Sequence, residues 1–171
     1  MRHADEDSDE AGRLQPCYVR FDRGPGLMDP NCEFCSIVSG SEKALVVKEW
    51  PESLAVFPLQ PATFGHTLII PRRHIIDIWG VDLELGRSLS DRVFEVARAV
   101  KNAYTPDGLN IVNSSGEAAT QSVFHFHIHV VPRYAGDGMG QIWPQGGVTE
   151  AEKKRAFDQI RKSVSRSKDN C

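Results

Sequence analysis

The chain has 171 residues, 40% of them hydrophobic and 25% charged, which suits one globular domain with a real core plus tails. A formal net charge of −3 gives no global drive toward nucleic acid, and no apolar run approaches the ~20 residues that a membrane-spanning helix needs. The acidic start MRHADEDSDE is the opposite of a signal peptide's basic, then apolar, opening, so the expectation is a cytoplasmic protein with neither membrane nor nucleic-acid partners.

In chain order, residues 1–28 hold acids, glycines and prolines with almost no apolar periodicity and read as a solvated extension. The folded domain is expected over 29–147. ALVVKEW and LAVFPLQ read as two strands broken by Pro51, and GHTLIIPRRHI as a third strand ending at Pro71. Asp82 is placed to cap a long helix in which Leu85, Leu89, Val93, Val96, Ala97 and Val100 recur at helical spacing, with Pro106 and Gly108 as its stop. LNIVNSS and VFHFHIHVVPR supply two more strands, joined by GEAATQ. Residues 148–171 open with a capping box, Thr149 with Glu152, and continue with Phe157, Ile160 and Val164 at helical spacing, which predicts a terminal helix with a basic, solvated face. The class is therefore α+β, one mainly antiparallel sheet packed by the long helix.

The run FHFHIHVVPR sets three of the chain's six histidines at alternate positions. On a strand His125, His127 and His129 share one face, while Phe124, Phe126, Ile128 and Val130 pack the other. Ends of such a row are about 13 Å apart, so three collinear imidazoles do not converge on one ion at about 2.1 Å from each nitrogen. The row must divide its labour. A second cluster, NCEFCS, holds Cys32 and Cys35 at the spacing from which two thiolates reach one zinc. His74 and one terminal histidine of the row are the available partners for a closed Cys2His2 structural site; a redox dithiol and two merely buried cysteines are the competing readings.

The stretch GHTLIIPRRHI, followed after a helix by SSGEAATQSVFHFHIHVVPR, resembles the histidine triad family, whose signature alternates three histidines with apolar residues. The resemblance runs from about Asn31 to Trp143 and takes in the Cys-x-x-Cys opening and the PRYAGDG after the triad. It implies a dimeric α+β fold and a nucleotidyl hydrolase or transferase acting at the α-phosphate of a nucleotide conjugate. On that likeness His127 is the nucleophile, His129 a donor to a phosphate oxygen and His66 part of the triad's hydrogen-bond relay. Gln121 and Ser122 match loop residues that contact phosphate and leaving group, with Ser114 in the same substrate loop. His125 joins Cys32, Cys35 and His74 on structural zinc.

Three residues depart from the family pattern. Thr120 replaces a glycine before Gln121, Ser114 stands where many members have Asn, and Pro58 occupies the position of an acid that grips the ribose hydroxyls. Pro supplies neither donor nor acceptor there. The alternative function is a zinc-stabilised nucleotide-binding or partner-docking protein with little turnover.

Overall fold

The computed structural model describes residues 28–140 and 146–166, which belong to two separate compact units. The extension expected over 1–28 lies, apart from Met28, outside the described residues.

In the larger unit, helix α1 (Glu33–Ser39) starts at Cys32 and is ended by Gly40, whose φ of 78° lets its backbone N–H reach the Ile37 carbonyl. The sequence reading missed this helix. Seven residues are too few to display a period, and its N-cap is a cysteine without a side-chain capping bond. Strands β1 (Val46–Glu49) and β2 (Ser53–Val56) form a hairpin around Pro51, with a register irregularity between Val46 and Lys48. β3 (Thr67–Pro71) follows, then the long helix α2 (Leu83–Tyr104), capped as expected by the Asp82 carboxylate, which accepts from the Leu85 N–H at 2.9 Å. Thr105, in the left-handed region at φ 48°, and Pro106 close it. β4 (Gly108–Val112) and β5 (Ile128–Arg133) complete an antiparallel sheet of order β1-β2-β3-β5-β4.

The predicted class is thus the observed one, with two corrections, at the end of the second strand and at the start of the histidine strand. The second strand ends at Val56, so Phe57 to Gln60 are loop. β5 inserts between β3 and β4, because α2 carries the chain across the sheet to its far edge before β5 returns. The histidine strand begins only at Ile128: the β4 ladder ends at Val112 opposite His129, the His127 carbonyl is taken by the Asn113 side chain, and the Phe126 N–H bonds the Ile75 carbonyl. His125 and His127 therefore sit on a bent approach to the strand, and Phe124 is exposed rather than packed.

Both faces of the central sheet are covered, and every residue of β2 and β3 is buried. Ala55, Ile69 and Val130 pack with Leu89, Val93, Val96 and Val100 of α2. Leu54, Val56, Leu68 and Ile70 pack with Cys32, Phe34 and Cys35. Because Leu68 pairs with His129, the third histidine faces the side on which the two cysteines lie.

In the smaller unit, α3 (Glu150–Arg166) begins with the expected capping box: the Glu152 carboxylate accepts from the Thr149 N–H at 2.9 Å, and the Thr149 hydroxyl accepts from the Glu152 N–H at 3.3 Å. No helix among the described residues is long and apolar enough to cross a membrane.

Candidate metal centre and histidine site

The N-cap and first turn of α1, the segment after β3 and the approach to β5 bring Cys32, Cys35, His74 and His125 together, with one donor atom from each lying within 4.8 Å of every other. Cys32 Sγ is 3.4 Å from His125 Nδ1, Cys35 Sγ is 3.6 Å from that nitrogen, and Cys35 Sγ is 3.3 Å from His74 Nδ1. A tetrahedral zinc with bonds of about 2.3 Å to sulfur and 2.0–2.1 Å to nitrogen needs sulfur–nitrogen separations of roughly 3.6 Å, and these three separations are close to that value. His125 is fully buried, and its Nε2–H donates to the Pro71 carbonyl at 2.9 Å, which leaves Nδ1 unprotonated toward the sulfurs. Burial lowers the His125 pKa to about 4 and raises that of the Cys35 thiol, so an uncharged imidazole is the resting ligand and metal binding must displace the thiol proton. Four protein donors of these types, two thiols and two imidazoles, suit a closed structural zinc site.

The other two triad histidines are oriented by different partners. His127, 5% exposed, donates from Nδ1 to the His125 carbonyl at 2.7 Å, leaving Nε2 with a free lone pair. The His127 carbonyl accepts from Asn113 Nδ2 at 2.9 Å; Asn113 Oδ1 accepts from the Ser115 hydroxyl at 2.8 Å, and Ser115 Oγ accepts from the Ile78 N–H at 3.1 Å. His66 Nδ1 accepts from the Ala62 N–H at 3.0 Å, so its proton is on Nε2, which donates to His129 Nδ1 at 3.0 Å. His129 is thereby left with its own proton on Nε2, a donor. Burial lowers the pKa of His66 and His127; it lowers that of His129 to about 4, helped by the neighbouring His127 and His66. All three rings are neutral at pH 7. The His127 and His129 ring centroids are 4.8 Å apart, which puts a lone-pair nitrogen and an N–H donor on adjacent rings.

The loop between β4 and β5 holds the remaining expected residues. Gln121 is buried, its Oε1 accepting from the Gly116 N–H at 2.7 Å and its Nε2 donating to the carbonyls of Ile76 at 2.6 Å and Val123 at 3.1 Å. Its amide braces the loop, and both amide hydrogens are already engaged. Ser122, next in sequence, is exposed, and Ser114 is half-buried. Thr120 adopts φ 65° and ψ 26°, the left-handed conformation that the replaced glycine would take without strain. Pro58 lies half-buried in the loop after β2, the same loop whose Ala62 N–H holds His66. Gly65, at φ 87°, is fixed by space as well, since a Cβ there would lie 2.8 Å from the Tyr104 ring. Arg72 pairs with Glu49, Arg73 with Asp82 and Arg133 with Asp137, so each of these guanidinium groups already has a carboxylate partner. Asn113, Ser115 and the Pro71 and His125 carbonyls escaped the sequence reading, because a backbone acceptor has no residue signature and a lone Asn after a strand reads as a turn.

A family model described as the HIT domain matches residues 39–136. The chain is 42% identical over 114 residues to the protein hit of Bacillus subtilis, an alignment covering 66% of this chain and 79% of that protein. A zinc-bound histidine triad family protein from Mycobacterium smegmatis superposes with a TM-score of 0.61 at 34% identity, covering 78% of this chain and 97% of the other. A hypothetical histidine triad nucleotide-binding protein from Sulfolobus tokodaii gives a TM-score of 0.60 at 28% identity, covering 79% and 93%. With the matched model spanning more than half of the sequence and the three histidines in the folded context described above, the chain belongs to the HIT domain family.

Proposed function

We propose that the protein is a nucleotidyl hydrolase or transferase that cleaves a nucleotide conjugate, of the dinucleoside polyphosphate or nucleoside phosphoramidate type, at its α-phosphate through a covalent intermediate on His127. Membership of the HIT family supports a nucleotide hydrolase or transferase in general terms, and the Sulfolobus tokodaii relative is named as nucleotide-binding. The observation that carries the finer reading is the pair of opposite tautomers on adjacent rings: His127 with Nε2 unprotonated, His129 with Nε2 protonated.

In the first step the His127 Nε2 lone pair forms a bond to the α-phosphorus while the bond to the leaving group breaks and its electrons depart with that group, which leaves as a phosphate anion or, in a phosphoramidate, as an amine that has taken up a proton from solvent. The His127 Nδ1–H bond to the His125 carbonyl disperses the positive charge that develops on the ring. His129 donates from Nε2 to a phosphate oxygen, and the Ala62–His66 chain keeps it in that tautomer. Ser122, presented by the loop that Gln121 braces, is the group assigned to the leaving-group side. Water then attacks phosphorus, the N–P bond breaks, and the nucleotide leaves with the water's oxygen while the proton passes to solvent. Cys32, Cys35, His74 and His125 would hold a zinc whose contribution is structural, fixing His125 and with it the carbonyl that orients His127.

The test is a panel of nucleotide conjugates scored for mononucleotide release by wild type and His127→Ala. Loss of turnover by three orders of magnitude or more, roughly the scale of removing a covalent nucleophile, with binding and melting temperature retained, is the expected result. Undiminished release by His127→Ala would overturn it, and no release from any conjugate by wild type would favour a binding protein. The reading includes a homodimer: β4 is an edge strand whose Leu109 and Ile111 are partly exposed, a surface suited to a second copy. A single-chain mass by light scattering at micromolar concentration would remove that element.

A further inference from the structure

Phe34 sits inside the cysteine pair, in the sequence Cys32-Glu33-Phe34-Cys35, and is buried at 8% exposure. Its ring meets the histidine site. The centroid lies 5.1 Å from that of His127 at an interplanar angle of 80°, and 5.8 Å from that of His125 at 76°. The start of α1, which offers two sulfurs to a metal, thus also sets an aromatic ring edge-to-face against the His127 and His125 rings.

His127 has reason to need such a wall. The bond from Nδ1 to the His125 carbonyl is the single hydrogen bond its ring makes among the described residues. With one hydrogen bond, the ring depends on its packing neighbours, Phe34 and the His129 ring, to resist rotation about the Cβ–Cγ axis, and a half-turn would exchange nitrogen for carbon at the carbonyl and swing Nε2 away. A close-packed aromatic neighbour resists this motion through sterics and through the geometry of T-shaped pairing, and it brings no acceptor to compete for the Nδ1 proton. Glu33, the other residue between the cysteines, is exposed and has no such contact.

We infer that Phe34 is a positioning residue, through which the Cys-x-x-Cys segment at the start of α1 holds the His127 imidazole with Nε2 toward substrate. The inference rests on the reading of His127 as nucleophile. It also makes the metal-binding segment a determinant of rate as well as of fold, since the first turn of α1 is what places the ring.

The experiment compares the zinc-loaded full chain with Phe34→Leu, which keeps most of the volume, and Phe34→Ala, which opens a space. Zinc content and melting temperature report the structural role. Nitrogen-15 spectra of the His127 ring report its tautomer and orientation without any substrate, and single-turnover labelling reports the rate of adduct formation. Phe34→Leu is expected to keep one zinc per chain and a KM within about twofold of wild type, while adduct formation slows about tenfold and, in Phe34→Ala, about a hundredfold, the scale of a misplaced reacting group. The single Nδ1–H species of His127 is expected to give way to exchanging forms in both variants. An unchanged His127 spectrum in zinc-loaded Phe34→Leu would overturn the inference, as would parallel loss of zinc and activity in both variants, which marks a purely structural residue. If wild type forms no adduct, the nucleotidyl reading fails by itself, and the ring spectra still decide whether Phe34 orients His127.

Discussion

His125, His127 and His129 are one residue type at alternate positions, and the backbone makes them three different chemical groups. The Pro71 carbonyl takes the Nε2 proton of His125, the His125 carbonyl takes the Nδ1 proton of His127, and His66 donates to Nδ1 of His129. Each hydrogen bond selects a tautomer, so each ring presents a different atom to its surroundings. A similar choice of backbone over side chain appears at Thr120, where a β-branched residue occupies the left-handed region. That conformation is strained for any residue with a Cβ, by ~1 kcal/mol or more for a branched one. Thr120→Gly is therefore expected to raise stability by roughly 0.5–1 kcal/mol, the relieved strain being partly offset by the greater freedom of glycine in the unfolded chain, and chemical denaturation will measure it. A destabilised Thr120→Gly would show instead that the Thr120 hydroxyl, which donates to the Ala119 carbonyl at 2.6 Å, holds the loop.

At the scale of elements, the β1–β2 hairpin is tied to α2 through Glu52, whose carboxylate accepts from the Ser88 hydroxyl at 2.5 Å and from Arg92 Nε at 2.8 Å. Burial pulls the Glu52 pKa up, but the Ser88 and Arg92 bonds together outweigh it and hold the carboxyl below its ordinary value near 4.5. A depressed carboxyl pKa stabilises the fold above the unfolded-state value, and that contribution is lost as pH falls through the folded-state value. Glu52→Gln is expected to be less stable than wild type by about 1 kcal/mol at pH 7, with the difference shrinking as the pH drops below about 4.5. Melting curves at pH 7 and pH 3.5 that differ by equal amounts would contradict this. The elements themselves were legible where period and punctuation agreed, as in α2 between Asp82 and Pro106. They were illegible where a side chain or a distant loop replaces the ladder. Residues 123–127 alternate as a strand would, yet Asn113 and Ile75 take their backbone groups, and no local pattern encodes such partners. The zinc set was readable down to one choice between the ends of the row; the tautomers, which decide the chemistry, were not, because they depend on the carbonyls of Pro71 and His125.

For the larger unit as a whole, the sheet lies between two unequal layers, α2 on one face and the short cysteine-bearing α1 on the other. A seven-residue helix is too short to be stable by itself, so the layer that covers Leu54, Val56, Leu68 and Ile70 depends on the metal site for its place. Cys35→Ser is accordingly expected to lose zinc and to lower the melting temperature by about 10 °C or more, corresponding to a few kcal/mol, with activity falling as a consequence; full zinc content in that variant would remove Cys35 from the ligand set. The division of labour among the histidines remains the central claim, and one measurement addresses it directly. The protein is mixed with a nucleotide conjugate labelled at the α-phosphate, quenched within milliseconds at alkaline pH, and the labelled residue located by mass spectrometry. An acid-labile nucleotidyl group on His127, bonded through Nε2, is the predicted result; a label on His129 or His125, or product release with no labelled histidine under single-turnover conditions, would contradict the account.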